Sequence, residues 1–208
     1  MTTKNPHWNA IFSSKTDPEL GWYESDVSQT LKFLDTISLN QATVFLPGAG
    51  TSVLVDALLP QCSLMVLNDI SDEALKKLEG RVGTNEGKVW WLHHDMTKPL
   101  PFGTPPVDVW IDRAVLHFLC TEEDIQLYFE NLRTLLNVGG YALMAEFSND
   151  GAPKCAGLDL HRYSVEEMTA RIGPDFTLVH EERYVFINPS GDPRPYIYAL
   201  YKRTERSL

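Results

Sequence analysis

Short apolar runs that end at turn residues alternate along the chain with segments in which apolar positions recur every three or four residues. The short runs predict strands at 42–46, 64–67, 88–93, 107–111, 141–147, 176–187 and 196–201. The longer periodic segments predict helices at 25–37, at 51–59, after Ser71, at 122–136 and at 164–172. Gly139 and Gly140 are expected to end the fourth of these helices.

The order of these elements predicts the fold class. Repeated strand–helix pairs are typical of an α/β protein with a Rossmann-like, doubly wound and mainly parallel sheet, covered by helices on both faces. The last two predicted strands follow each other through a turn-rich loop, which indicates an antiparallel strand at the C-terminal end of the sheet. Ligands of such sheets bind at the carboxyl ends of the strands.

Composition narrows the range of functions. The chain has 208 residues and a formal net charge of −10, which argues against binding a nucleic-acid backbone. No apolar stretch approaches the roughly 18 residues that span a bilayer, so we expect no membrane partner and a cytoplasmic location. Three widely spaced cysteines indicate neither a disulfide framework nor a metal site. Residues 1–24 are expected to form an N-terminal segment that can serve as a lid, and 25–208 the main domain.

A glycine turn and an acidic residue follow the first two predicted strands. Gly48 and Gly50 allow a ligand to approach the backbone closely, although such a turn alone is equally typical of an ordinary connection. Asp69 follows about 20 residues later, where a carboxylate can accept both hydroxyls of a ribose. Val53 stands where a dinucleotide-binding turn needs a third glycine, which argues against NAD but not against a nucleoside without phosphates.

Acidic residues also follow the third and fourth predicted strands. Asp95 is placed to accept from an adenine amino group with Met96 against the ring, or simply to cap its own turn. Asp112 and Arg113 follow the strand beside which a transferred group would lie, or form a structural ion pair.

The spacing of these four strand ends resembles that of the class I S-adenosylmethionine-dependent methyltransferases, over roughly 27–203. Members of that family usually carry an acid two positions before the first glycine, where this chain has Leu46. The run V-F-L-P-G-A-G resembles the corresponding strand of the thiopurine methyltransferase branch, as do the tryptophans near the N-terminus and the sequence D-R-A at 112–114. The motif W-x-D-R-A-V-x-H-F-L is similar to one in a group of small bacterial methyltransferases.

The resemblance implies a seven-stranded fold and S-adenosylmethionine as cofactor. It also implies a cofactor-binding set of Trp22, Pro47, Gly48, Ala49, Gly50, Asp69, Ile70, Asp95, Met96, Asp112 and Arg113. His117 is the candidate general base, with Asp112 and Tyr23 as further catalytic candidates, and a packed histidine is the alternative for His117. Trp22 and Tyr23 are expected either to cover the methyl group or to cover the core.

Three functions remain open from the sequence. The first is methyl transfer to a small-molecule acceptor through a thiol, a related chalcogen or an amine. The second is methylation of a protein lysine or N-terminal amine, which an acidic surface would suit. The third is a nucleoside-binding module without catalysis, which the intact set of strand-end residues disfavours.

Overall fold

The computed structural model describes residues 4–205, so the predicted boundaries at 1 and 208 lie outside the described residues. Within this range seven strands form one sheet in the order β3-β2-β1-β4-β5-β9-β8, and two short strands form a separate hairpin. The strands are β1 Thr43–Leu46, β2 Leu64–Asp69, β3 Val89–His93, β4 Val107–Arg113, β5 Leu136–Phe147, β6 Lys154–Cys155, β7 Leu158–Asp159, β8 Phe176–Ile187 and β9 Pro193–Arg203.

The first five strands pair in parallel, and β9 pairs antiparallel with both β5 and β8. This arrangement confirms the predicted α/β fold, with its mainly parallel sheet and antiparallel C-terminal strand. The helices are α1 Lys4–Ser14, α2 Ser28–Leu34, α3 Leu54–Leu58, α4 Asp72–Val82, α5 Glu122–Leu135 and α6 Val165–Ile172.

Alternate residues of the central strands build separate cores on the two faces of the sheet, because successive strand side chains point in opposite directions. On β1, Val44 and Leu46 pack with the helices α2, α3 and α4, whereas Phe45 packs on the other side with α5 and α6. Phe45 stacks there on Trp110 of β4, with ring centroids 4.3 Å apart. Both faces are therefore covered, and the carboxyl ends of the parallel strands are left to form a site.

Some helix and strand boundaries differ from the predicted ones, most clearly at the glycines after α5. Gly139 and Gly140 do not end a helix, because α5 stops at Leu135 and β5 begins at Leu136, so both glycines lie inside the strand. A Cβ on Gly140 would lie 2.7 Å from the Asp108 carbonyl oxygen. The strands β4 and β5 shift register at this place, and glycine permits the close backbone approach.

One α-helix and two strands were not predicted from the sequence. The helix α1 lies in the N-terminal segment for which no element was predicted, and β6 and β7 form a short hairpin between β5 and α6. The helices α2 and α3 are also shorter than predicted. None of the helices within residues 4–205 combines the length and the apolar character needed to cross a bilayer.

Candidate active site

A large cavity opens at the carboxyl ends of β1 to β4, where the fold class places ligand sites. It encloses about 1240 Å³, including the part open to solvent. Eleven of the residues predicted from the sequence line it, namely Trp22, Tyr23, Pro47, Gly48, Ala49, Gly50, Asp69, Ile70, Asp95, Met96 and Arg113.

The glycine turn after β1 has left-handed backbone at both glycines, with φ of +53° at Gly48 and +52° at Gly50. A Cβ on Gly48 would lie only 2.4 Å from Val115 Cγ2. The turn is attached to β2, because the Ala49 amide donates to the Asn68 carbonyl oxygen at 2.7 Å. Glycine is thus required here for both conformation and space.

Asp69 is buried at the end of β2 and is held by the backbone on both sides. The Gly50 amide donates to Oδ2 and the Ser71 amide donates to Oδ1, each at 2.8 Å. Burial raises the pKa of this carboxyl group to about 6, and the two amide donors partly oppose that shift. Each oxygen retains a second lone pair, so the carboxylate fits a pair of ribose hydroxyls.

Asn68 connects the glycine turn to the loop after β3, a role that was not predicted from the sequence. Its Nδ2 donates to the carbonyl oxygens of Leu92 at 3.0 Å and His94 at 2.9 Å. The Gly48 amide donates to its Oδ1 at 3.4 Å. The only signal in the sequence was a second polar residue beside Asp69 at the end of an apolar run.

Asp95 caps its own turn while lining the cavity. Its Oδ1 accepts from the Thr97 amide at 2.9 Å and from the Thr97 hydroxyl at 2.8 Å. Met96 is buried beside it, and its carbonyl oxygen accepts from Asn131 Nδ2 at 3.0 Å. The capping alternative for Asp95 is thus observed, and its position in the cavity wall leaves room for a second contact.

Aromatic residues of the N-terminal segment cover one side of the cavity. Trp8 packs edge-on against Trp22 at 5.5 Å and against Phe118 at 4.9 Å between ring centroids, and Phe12 lies 6.1 Å from Trp22. All but Phe118 come from residues 4–24, so this segment contributes a wall of the cavity.

Polar contacts attach α1 to the start of α4. Asn9 Nδ2 donates to Asp72 Oδ1 and Ser71 Oγ donates to Asn9 Oδ1, both at 2.6 Å. Ser71 also accepts from the Ala74 amide as the N-cap of α4. The N-terminal segment is thereby anchored next to Asp69.

Arg113 ties the other end of the N-terminal segment to β4. Its Nε lies 2.7 Å from Glu24 Oε2, and Nη1 donates to the Trp22 carbonyl oxygen at 3.0 Å. The guanidinium group lies over the rings of Phe186 at 4.8 Å and Tyr196 at 5.2 Å. Among residues 4–205, no hydrogen-bond partner is found for the buried atoms Glu24 Oε1 and Arg113 Nη2.

Asp112, predicted to contact the cofactor and to take part in catalysis, lies beneath the cavity and does not line it. Its carboxylate is fully buried and accepts from the amides of Val115 at 3.0 Å and Leu116 at 3.1 Å, and from the Tyr128 hydroxyl. All three donors are internal, so its role is to hold the turn after β4. The prediction of a ligand contact at Asp112 is therefore corrected.

His117, predicted as a candidate base, is also buried outside the cavity. Its Nδ1 lies 2.7 Å from Glu146 Oε2, and its ring packs against Phe118 and Phe147. Burial lowers the pKa of its imidazole to about 3. His117 is therefore a packed histidine. A general base must reach the acceptor and bind a proton near neutral pH, and His117 does neither.

Glu146 on β5 forms a buried polar cluster with Asp112 and His117, and this cluster was not predicted from the sequence. Burial raises the pKa of its carboxyl group to about 8, and the backbone amide of His117 donates to Oε2 at 3.1 Å. The pKa of neighbouring Asp112 is raised well above its ordinary value by burial and by the Glu146 carboxyl. Two adjacent buried carboxyl groups cannot both ionise cheaply, so this cluster holds a proton near neutral pH.

Comparison with known proteins agrees with this geometry. Residues 47–142, from the glycine turn to the middle of β5, match a family model described as a methyltransferase domain. Comparison with curated proteins finds no match.

Several solved structures share the fold at low identity. An S-adenosylmethionine-dependent methyltransferase from Anabaena variabilis has a TM-score of 0.75 at 16% identity, covering 96% of this chain and 93% of that one. The N-methyltransferase NodS from Bradyrhizobium japonicum, in complex with S-adenosylhomocysteine, has a TM-score of 0.73 at 14% identity, with coverages of 95% and 98%. A 1,6-didemethyltoxoflavin-N1-methyltransferase from Burkholderia thailandensis has a TM-score of 0.68 at 17% identity, covering 98% of this chain and 85% of that one.

The sheet order is that of the class I methyltransferase fold, and residues 47–142 match a methyltransferase domain. The glycine turn, the buried Asp69 carboxylate and the unsatisfied polar atoms at Glu24 and Arg113 fit a zwitterionic nucleoside. These observations support an S-adenosylmethionine-dependent methyltransferase.

Proposed function

We propose that this protein transfers the methyl group of S-adenosylmethionine to a small-molecule acceptor, through a sulfur, chalcogen or nitrogen atom. The observation that carries the proposal is the cavity itself, which has polar strand ends on one side and the aromatic N-terminal segment on the other. The similar NodS and toxoflavin enzymes are both named as N-methyltransferases, which supports an acceptor of this kind.

The cofactor is proposed to lie across the strand ends. Asp69 accepts the ribose hydroxyls, Asp95 and Met96 contact the adenine, and the backbone from Pro47 to Gly50 approaches the methionine part. Ile70 packs against the nucleoside, and Arg113 lies beside the methionine part. Residues 4–24 act as a lid, in which Trp22 and Tyr23 cover the reacting methyl group.

S-adenosylmethionine supplies an activated methyl group on a positively charged sulfur. The chain's own contribution is to align the acceptor and to exclude water from the site. The N-terminal aromatic residues perform the second task, because they close an apolar wall over the strand ends. His117 takes no proton in this scheme, so the acceptor arrives as a neutral amine or a thiolate.

Asp69→Asn tests the cofactor position. We expect it to weaken S-adenosylhomocysteine binding by roughly 1–3 kcal/mol, measured by calorimetry, because a hydroxyl loses its charged acceptor. Asp56→Asn is the matched control, since Asp56 is exposed and pairs with Arg81 outside the cavity. Unchanged affinity in Asp69→Asn would remove this residue from the ribose role.

A panel of thiols, amines and basic proteins tests the acceptor, with S-adenosylhomocysteine formation as the readout. Turnover on small thiols or amines supports the proposal. The net charge of −10 favours a basic protein as the second candidate, and turnover only on protein amines would select it. Cofactor binding without any turnover would favour a non-catalytic nucleoside-binding module.

A further inference from the structure

The methionine part of the cofactor brings an ammonium and a carboxylate into a partly enclosed cavity. Buried charges need partners of opposite sign, so the cavity must offer one acid and one base close together. Arg113 is the single Lys or Arg side chain among the described residues that line it. The matching acid must therefore lie near Arg113.

The sheet order fixes which end of the cavity receives the methionine part. The strands run β3-β2-β1-β4, so Asp95, Asp69, the glycine turn and Arg113 follow one another along the edge. With the ribose at Asp69, the amino-acid part passes the glycine turn and reaches Arg113. Leu46, just before that turn, carries no charge.

Glu24 is the acid that remains available at this end. Both oxygens of Asp69 already accept backbone amides, and Asp95 accepts twice from Thr97. Glu24 uses only Oε2, at 2.7 Å from Arg113 Nε, and its buried Oε1 has no hydrogen-bond partner within residues 4–205.

We propose that Glu24 accepts the ammonium group of the cofactor's methionine part through Oε1, while Arg113 Nη2 donates to its carboxylate. The Glu24 carboxylate, the ammonium, the methionine carboxylate and the Arg113 guanidinium then alternate in charge. Glu24 Oε1 and Arg113 Nη2 each gain a hydrogen-bond partner. Because Glu24 belongs to the N-terminal segment, cofactor binding would also hold that segment over the site. This inference rests on the proposed cofactor position.

Two ligands separate this role from a general effect on the cavity. S-adenosylhomocysteine carries the amino-acid group, whereas 5′-methylthioadenosine shares the adenosine and the sulfur but lacks that group. Calorimetry should show Glu24→Gln binding S-adenosylhomocysteine about 10- to 100-fold more weakly, since a neutral amide oxygen replaces the charged partner of the ammonium group. Its affinity for 5′-methylthioadenosine should stay within about two-fold of wild type, which also verifies that the variant's cavity is folded.

Glu19→Gln is the matched control, because Glu19 lies in the same segment but is exposed and bonds only to Thr16. It should leave both affinities unchanged. A second measurement uses the wild-type protein with S-adenosylhomocysteine that lacks its amino group, which should bind about 10-fold more weakly. Glu24→Gln should discriminate between this analogue and S-adenosylhomocysteine less than the wild-type protein does.

Equal weakening of both ligands in Glu24→Gln would overturn the proposal, because Glu24 would then act only through the position of the segment. Unchanged S-adenosylhomocysteine affinity would also overturn it. If neither nucleoside bound the wild-type protein, the proposed cofactor site itself would fail, which is a different result from either of these.

Discussion

Replacing Gly48 by alanine tests whether the turn after β1 needs glycine for space as well as for conformation. Gly48 and Gly50 have almost the same backbone, with φ of +53° and +52°. A Cβ on Gly48 would lie 2.4 Å from Val115 Cγ2, whereas the nearest atom to a Cβ on Gly50 is Phe12 Cζ at 3.4 Å. Gly50→Ala is therefore a matched control for conformation without the clash.

The two variants should differ by the cost of the clash. A left-handed alanine costs about 1–2 kcal/mol at either position. Only Gly48→Ala adds overpacking against a short branched side chain, which costs about 1–3 kcal/mol. We expect the free energy of unfolding to fall by about 1–3 kcal/mol more in Gly48→Ala than in Gly50→Ala, measured by urea denaturation with tryptophan fluorescence.

Val115→Ala completes the experiment as a double-mutant cycle. It removes the methyl group that a Cβ on Gly48 would meet, so the cost of Gly48→Ala should shrink in that background. Equal losses in the two glycine variants, or strictly additive effects of Gly48→Ala and Val115→Ala, would refute the steric argument. The requirement at Gly48 would then be conformational alone.

Three further outcomes follow from the buried polar groups. Glu146→Gln should flatten the pH dependence of the free energy of unfolding. In the wild-type protein the raised pKa of Glu146, about 8, makes the folded chain hold a proton that the unfolded chain releases above about pH 4.5. Wild-type stability therefore falls as the pH rises through this window. Urea denaturation from about pH 5 to pH 9 checks this, and an unchanged slope would contradict it. His117→Gln should leave the pH dependence of turnover unchanged, because the pKa of its imidazole is already about 3, whereas a profile that lost a step near pH 6.5 would restore it as a base. Asn68→Ala should cost about 1–3 kcal/mol of stability, because the carbonyl oxygens of Leu92 and His94 lose their donor, and wild-type stability in this variant would argue against that role.

Strand positions were predictable because the apolar runs are short and end at turn residues. β1 to β4 each appear at their predicted places, and the residues just past β1, β2 and β3 do line the cavity. In a parallel sheet those positions follow from strand direction alone. The helix α1 was not predictable in this way, because its sequence KNPHWNAIFSS has no apolar stripe and its anchors, Ser71 and Asp72, are remote in sequence.

The wrong prediction for His117 has a local cause. Ala114 has left-handed backbone with φ of +70°, and a 3-10 turn follows at Leu116–Phe118. These two features turn His117 inward to Glu146, while Arg113 and Val115 remain at the cavity. An alanine gives no sequence signal for positive φ, so spacing from the end of the strand could not reveal which side chains face the ligand.

Asp112 nevertheless acts on the site through the turn that it holds. Its carboxylate accepts from the Val115 amide, and the Val115 side chain fills the space that a Cβ on Gly48 would need. The acid at the end of β4 thus sets how closely the turn after β1 is packed. The same strand end positions Arg113, and through it Glu24 and the N-terminal segment. One short stretch therefore packs against both the glycine turn and the N-terminal segment, although its acidic residue lies beneath the cavity.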